Sequence, residues 1–150
     1  KGLRYGLGTL DKTRITLASG FIGLARAAFE ASIKYAKERK TFGRPVASNQ
    51  DIQFRLAKMA TKIELCRNMV YKAAWLVDKG RHAMLETSMA KMASARMACE
   101  VIDDCLQMHG GYGYMDEYWI QRAYRDVRIL DIYEGVREAE LMTIARVLLA

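Results

Sequence analysis

The segment ILDIYEGVRE, residues 129–138, ends a run of apolar residues on a single acid, Glu134, with Gly135 directly after it. Such a carboxylate has two readings. It is a solvated first-turn acid of a following helix, where the helix dipole favours negative charge. Alternatively it is a base in an apolar pocket, where desolvation lifts its pKa toward neutrality and fits it for proton transfer. Ile132 and Tyr133 are apolar neighbours suited to that second role.

Two other stretches carry the same kind of ambiguity. In RKTFGRP, residues 39–45, Arg39, Lys40 and Arg44 surround Thr41, Phe42 and Gly43. Basic residues at a helix end complement the dipole, yet guanidinium forks also match phosphate oxygens, and Phe42 is free to stack on a ring system. In QMHGGYGY, residues 107–114, three glycines follow Gln107 and His109. Glycines there stop a helix or let a phosphate approach the backbone. The run is not a GxGxxG following a strand, so a Rossmann reading fails. The only histidines are His82 and His109, and neither has a glutamate three residues before it, so the di-iron pattern is missing and no metal site is expected. Two histidines also leave few options for a Ser/His/Asp arrangement.

Composition frames these candidates. With 150 residues, 51% hydrophobic and 27% charged, the chain suits one folded domain with a real core. The net charge of +7 fits an anionic small molecule better than nucleic acid, because the basic residues are scattered among acids instead of forming a stripe. Cys66, Cys99 and Cys105 are odd in number with no CxxC pair, and read as reduced core residues of a reducing compartment. No apolar stretch reaches the ~18 residues of a membrane span, and no signal peptide is visible. Because the chain opens with Lys1, a fragment, a processed product or an excised domain is expected.

The elements that must position these residues are helical. A single proline, Pro45, and abundant Ala, Leu, Met, Lys and Arg favour helix over sheet. Thr9 or Asp11 would cap a first helix with Ile15, Ala18, Ile22, Ala25, Phe29 and Ile33 on one face, ending near Arg39 or Lys40. Its small residues Ala18, Ser19, Gly20 and Gly23 would admit a neighbouring helix closely. TFGRPVASN then reads as loop. Ser48 and Asp51 resemble a capping box for a second helix with the face Ile52, Leu56, Met59, Ile63, Cys66, Val70, Ala74 and Val77, stopped at Gly80. A third helix runs from about Ala83 to Met108, a fourth from about Glu117 to Leu130, and a fifth from near Gly135 to the end. Short connections make successive helices antiparallel. The fold expected is all-α, an up-and-down bundle of three long and two shorter C-terminal helices.

Taken together, GLGTLDKTRITLASGFIGLARAAFE, YAKERKTFGRPVASNQDIQFRLAKMA and QMHGGYGYMDEYWIQRAYRDVRILDIYEG resemble the C-terminal domain of the acyl-CoA dehydrogenases, over nearly the whole chain. The resemblance implies a single C-terminal helical domain over residues 1–150, with the family's N-terminal helical and middle β domains absent from this chain. It implies FAD as cofactor and α,β-dehydrogenation of an acyl-CoA thioester, with the β-hydride passing to flavin N5. Electrons go on to electron-transfer flavoprotein. The full-length protein would be a homo-oligomer, a tetramer built as a dimer of dimers, in the bacterial cytoplasm or the mitochondrial matrix. Carried over by position, Glu134 is the catalytic base and Gly135 lies beside the thioester. Asp11 and Arg14 line the coenzyme A channel. Arg39, Thr41 and Phe42 clamp the FAD of a neighbouring subunit, and Asn49 and Gln50 add contacts. Gln107, His109, Gly110 and Gly111 receive its adenine and diphosphate end, and Val136, Arg137 and Glu138 fall at further cofactor positions. Val136 departs from the family's usual Thr or Ser and has no hydroxyl to offer. Relatives that place their base on the first helix do so at the position of Thr13, which cannot act as one. By itself this domain is expected to be inactive. The alternative is a non-catalytic oligomerisation or interaction module that keeps the family fold.

Overall fold

The computed structural model describes residues 2–150, apart from the side chains of residues 3–8 and 11, so the substrate contact expected of Asp11 lies outside the described residues. Helix α1 covers Gly2–Glu38, α2 Gln50–Asp78, α3 Met84–His109, α4 Ile120–Val127 and α5 Arg137–Leu148. Between α1 and α2, strands β1 (Lys40–Thr41) and β2 (Arg44–Pro45) form a minimal antiparallel hairpin, with Lys40 opposite Pro45 and Thr41 opposite Arg44. Short 3-10 turns occupy Val46–Ser48, Gly110–Tyr114 and Arg128–Asp131.

Side-chain contacts give the helix directions. Arg14 reaches Ser88 and Tyr35 reaches His109, both across 74 residues of sequence, so α1 and α3 run parallel. Arg55 pairs with Asp104 across 49 residues and Lys62 with Glu100 across 38, so α2 runs against α3. The three long helices thus go up, down and up. Helix α3 is central: it packs on α1, α2, α4 and α5. Half of its 26 residues are buried, among them Ala90, Ser94, Ala95 and Ala98, whose small side chains bring the neighbouring backbones close.

Several expectations are corrected. Helix α1 starts at Gly2, well before Thr9, because isolated glycines cost only ~1 kcal/mol each and no proline interrupts the segment. Its buried stripe is Ala18, Phe21, Ile22, Ala25, Ala28, Ser32 and Ala36, while Ser19, Gly20 and Gly23 point to the exposed side and admit no helix of this chain. The capping box at Ser48 is not formed: its hydroxyl donates to the Pro45 carbonyl, and Asp51 instead accepts from Arg55 one turn on. On α2 the face continues through Ala73 and Leu76, with Ala74 and Val77 only half-buried. The TFGRPVASN loop contains β2, part of β1 and a 3-10 turn. The fourth helix shortens to Ile120–Val127 before tightening into the 3-10 turn at Arg128–Asp131. Cys66 and Cys105 are core residues, but Cys99 is half-buried. Burial pushes all three thiols up, Cys105 to about 11, so none is an activated thiolate. No helix of the described residues is long and apolar enough to cross a membrane.

Helix α2 ends at Gly80 as expected. Gly80 has φ 65° and its N–H bonds the Val77 carbonyl, while the Arg81 N–H bonds that of Leu76, the paired arrangement of a Schellman motif. A Cβ at Gly80 would meet nothing within 4 Å, so substitution costs backbone conformation alone. Gly80→Ala is expected to lower stability by roughly 1–2 kcal/mol, with Gly80→Asn losing less, as read from the midpoints of urea denaturation.

The C-terminus of α3 carries a second stability device. His109 is 4% exposed, stacks on Tyr35 with ring centroids 4.2 Å apart, and places Nδ1 2.8 Å from the Cys105 carbonyl. Burial lowers its pKa, so the folded state binds this proton less readily than the unfolded chain does. The resulting stability is complete above the unfolded value of about 6.5 and is lost as pH falls through that value to the depressed folded one. Thermal unfolding midpoints should drop between pH 7.5 and 5.5, and His109→Phe, which keeps a stacking ring, should flatten that slope. An unchanged slope would assign the titration to another group.

Candidate functional site

The residues singled out by the sequence fall into two clusters on the same pair of parallel helices. Tyr35 lies 21 residues beyond Arg14 on α1, which at ~1.5 Å rise per residue is about 30 Å. One cluster surrounds Arg14 and the Glu134 turn; the other caps the far end of the bundle near Tyr35 and His109.

At the first cluster the chain leaves the 3-10 turn at Asp131 and passes through Glu134 at φ 55° and Gly135 at φ 105° before α5 begins at Arg137. Two successive residues with positive φ turn the backbone toward α5. Glu134 is therefore not a first-turn acid of α5; that position belongs to Glu138 and Glu140. Ile132 and Tyr133 are exposed, so the apolar neighbours in sequence do not cover the carboxylate. Cover comes from α1 instead. Thr13 Oγ1 lies 3.2 Å from Glu134 Oε2 and the same distance from the Leu10 carbonyl, so its one proton has two acceptors. Phe21 anchors the turn by packing its ring 6.4 Å from that of Tyr133.

Behind the turn lies a buried charge cluster. Lys91 of α3 is 1% exposed and donates from Nζ to the Gly135 carbonyl at 2.5 Å. Glu140 of α5 is fully buried, with Oε1 3.1 Å from Arg14 Nε, and Arg14 Nη1 donates to Ser88 Oγ at 3.1 Å. A Cβ at position 135 would sit 2.5 Å from Glu140 Oε1, which with the positive φ explains the glycine after Glu134. Burial lowers the Lys91 pKa and Arg14 adds to that, while Glu140 and Glu134 oppose it. Arg137, expected at the cofactor, is held by Asp131 through both its Nε and an Nη. Val136 is the exposed N-cap of α5 and Glu138 is exposed. Arg14, expected at a substrate channel, directs its guanidinium into the bundle.

At the other cluster, Arg39, Thr41, Asn49, Gln107, His109, Gly110 and Gly111 line one recess of about 770 Å³, closed by Tyr35, Tyr112 and Met115. Seven of the residues singled out in the sequence, from two stretches far apart along the chain, thus line one recess. The Arg39 guanidinium lies over the Tyr112 ring, 4.9 Å from its centroid, and stays available to an anion. His109 contributes backbone and a buried ring face, its side chain being engaged by Tyr35 and the Cys105 carbonyl. Nothing lies within 4 Å of where a Cβ would stand at Gly110 or Gly111, so the backbone there is open to a phosphate. Gly113 is closed in the opposite sense: a Cβ would come within 2.8 Å of the Leu106 carbonyl, so this glycine serves packing. Phe42 and Gly43 form the two-residue tip of the hairpin, both at positive φ, with Phe42 wholly exposed. Gln50 opens α2 beside the recess but does not line it. Tyr35 and Tyr112 stand inside the two stretches without being singled out by residue type or spacing, and the buried Lys91 and Glu140 carry no motif in the sequence. Lys91 does stand at helical steps from Ser88 and Ala95, an interior stripe.

These residues suit a nucleotide diphosphate at the recess and proton transfer at the turn. Among the described residues no group of His, Cys, Asp and Glu is arranged to hold a metal ion. The family described as "Acyl-CoA dehydrogenase, C-terminal domain" matches residues 1–149. The chain is 48% identical over 149 residues to 3-(aryl)acrylate reductase of Clostridium sporogenes, covering 99% of this chain and 40% of that protein. It is 45% identical to the Caffeyl-CoA reductase-Etf complex subunit CarC of Acetobacterium woodii, covering 99% of this chain and 39% of that protein. Its structure superposes on butyryl-CoA dehydrogenase of Megasphaera elsdenii with a TM-score of 0.98 at 39% identity, over 100% of this chain and 39% of that one. The chain therefore spans about 40% of the length of the relatives it matches. With that coverage and identity, the chain belongs to the acyl-CoA dehydrogenase family, at the position of its C-terminal domain.

Proposed function

We propose that this chain supplies the proton-transfer base and the cofactor-gripping surface of an FAD-dependent acyl-CoA dehydrogenase. The observation that carries the reading is the Glu134 turn. A carboxylate is held at φ 55°, half-buried, with a hydroxyl donor 3.2 Å away, on a backbone whose next residue must be glycine. Backbone held in the left-handed region by its surroundings clusters at functional sites. Glu134 takes the α-proton of the thioester, and Thr13 orients the carboxylate oxygen it touches. When bound, FAD supplies the acceptor for the hydride leaving the β-carbon.

The grip on that cofactor falls to the other cluster. Arg39 provides a fixed cation, and the backbone at Gly111, where no side chain stands in the way, gives a diphosphate room to approach. The two clusters stand about 30 Å apart along one chain, which supports a flavin shared between copies, with Glu134 from one subunit and Arg39 and Gln107 from another. That arrangement makes the protein a homo-oligomer. Phe42, exposed on a tip that holds a bulky residue at φ 50°, is placed to meet the neighbouring copy. Electron-transfer flavoprotein is the proposed redox partner; the Acetobacterium woodii relative is itself a subunit of a Caffeyl-CoA reductase-Etf complex.

The reading is tested by assaying the full-length flavoprotein with straight-chain, branched and cyclic acyl-CoAs and an artificial electron acceptor. Glu134→Gln keeps the shape and removes the base, so turnover should fall by at least roughly 10²–10⁴-fold with flavin content unchanged. Near-normal turnover would remove Glu134 from the chemistry. Arg39→Ala removes a charged donor worth roughly 1.5–3 kcal/mol, so FAD affinity should fall about tenfold or more in a titration of the apoprotein. Unchanged affinity would remove Arg39 from the grip.

A further inference from the structure

We infer that Lys91 is the positioning residue of the Glu134 turn. It acts through the Gly135 carbonyl and is itself held in place by the buried pair of Arg14 and Glu140. The inference rests on Glu134 being the base.

A lysine that is 1% exposed in the middle of a central helix is a costly choice unless its ammonium has a task there. Its hydrogen bond from Nζ goes neither to a surface carboxylate nor to a neighbouring turn of its own helix. It crosses 44 residues of sequence to the carbonyl directly after Glu134. That carbonyl belongs to the peptide whose orientation sets ψ of Gly135 and the entry into α5. A charged donor at 2.5 Å fixes that peptide plane, and with it the left-handed pair Glu134 and Gly135.

Three neighbouring side chains leave Lys91 little room to point elsewhere. Arg14 of α1 and Glu140 of α5 are ion-paired at 3.1 Å, and Ser88, one turn before Lys91 on α3, accepts from Arg14. Glu140 Oε1 lies 2.5 Å from where a Cβ of residue 135 would be, so this carboxylate stands beside the same turn from the α5 side. The charged groups facing Lys91 are thus Arg14, Glu140 and Glu134. Two cations and two carboxylates gather at one backbone bend, and the Lys91 bond aims the Glu134 side chain toward Thr13 without touching it. A bent peptide at this point displaces the base while the recess at the far end of the bundle is left intact.

The test uses the full-length flavoprotein and the acyl-CoA turned over fastest in the panel above. In Lys91→Met the expected result is FAD content and KM within about twofold of wild type. The rate constant of flavin reduction at saturating acyl-CoA should fall by about 10²-fold, the scale set by displacing a catalytic group by ~1 Å. A wild-type rate overturns the assignment, as does a loss that only follows lost FAD or raised KM. If Lys91→Met does not accumulate as a flavoprotein, Lys91→Met with Glu140→Gln keeps the buried charge balanced and is read against Glu140→Gln alone, with the same two outcomes. Failure of both to hold FAD marks Lys91 as a folding residue and also overturns it. Glu134→Gln run in parallel separates the two levels. If it reduces flavin normally, the base assignment fails; if it is inactive while Lys91→Met is fully active, the positioning role alone fails.

Discussion

Helix α3 is surrounded by four other helices, and every polar group it carries into that environment has to be answered from within the protein. The requirement is sharpest at Lys91, whose ammonium is taken up by the Gly135 carbonyl beside the Arg14–Glu140 pair. Because those partners come from α1, α5 and the turn between α4 and α5, one buried charge ties together four parts of the chain. Removing a single member of such a cluster leaves a buried charge uncompensated, at a cost of about 3–5 kcal/mol. Helices α4 and α5, only 8 and 12 residues long, also carry apolar anchors of their own in Ile120, Ala123, Val127 and Ile144.

The same central helix separates the two regions that bear on function. Its N-terminal half carries Ser88 and Lys91 toward the Glu134 turn, and its C-terminus carries Gln107 and the glycine run into the recess. Between them lie Ser94, Ala95, Ala98, Val101 and Ile102, all fully buried and closely packed against α1 and α2. Close packing of small side chains leaves little freedom for the ends to shift relative to one another. The only non-glycine residues with positive φ among those described are Phe42 and Glu134, one in each region. Backbone strain is thus kept where the chain presents itself to something else, and the helices between are regular.

The relatives named above include both reductases and a dehydrogenase. On the proposed reading this variety needs no change in the present domain. A carboxylate that removes an α-proton in one direction returns it in the other, and the grip on a diphosphate is indifferent to direction.

Sequence alone determined the helical class, the three long helices and their ends at Gly80 and near His109, because periodicity, the near absence of proline and glycine punctuation act locally. It also marked Glu134, Arg39 and Gln107 through local motifs and their order along the chain. It did not determine where α1 begins or how Ser48 turns, where several local choices compete, nor the interior role of Arg14, whose partners Ser88 and Glu140 are distant in sequence. Ile132 and Tyr133 show the difference most clearly: adjacent to Glu134 in sequence, they face outward, and Thr13, 121 residues away, supplies the contact. The Lys91–Gly135 bond and the Arg14–Glu140 pair were likewise decided by tertiary structure. A charge can lie in a core only where several elements converge, and convergence is a property of the packed helices and of no single segment.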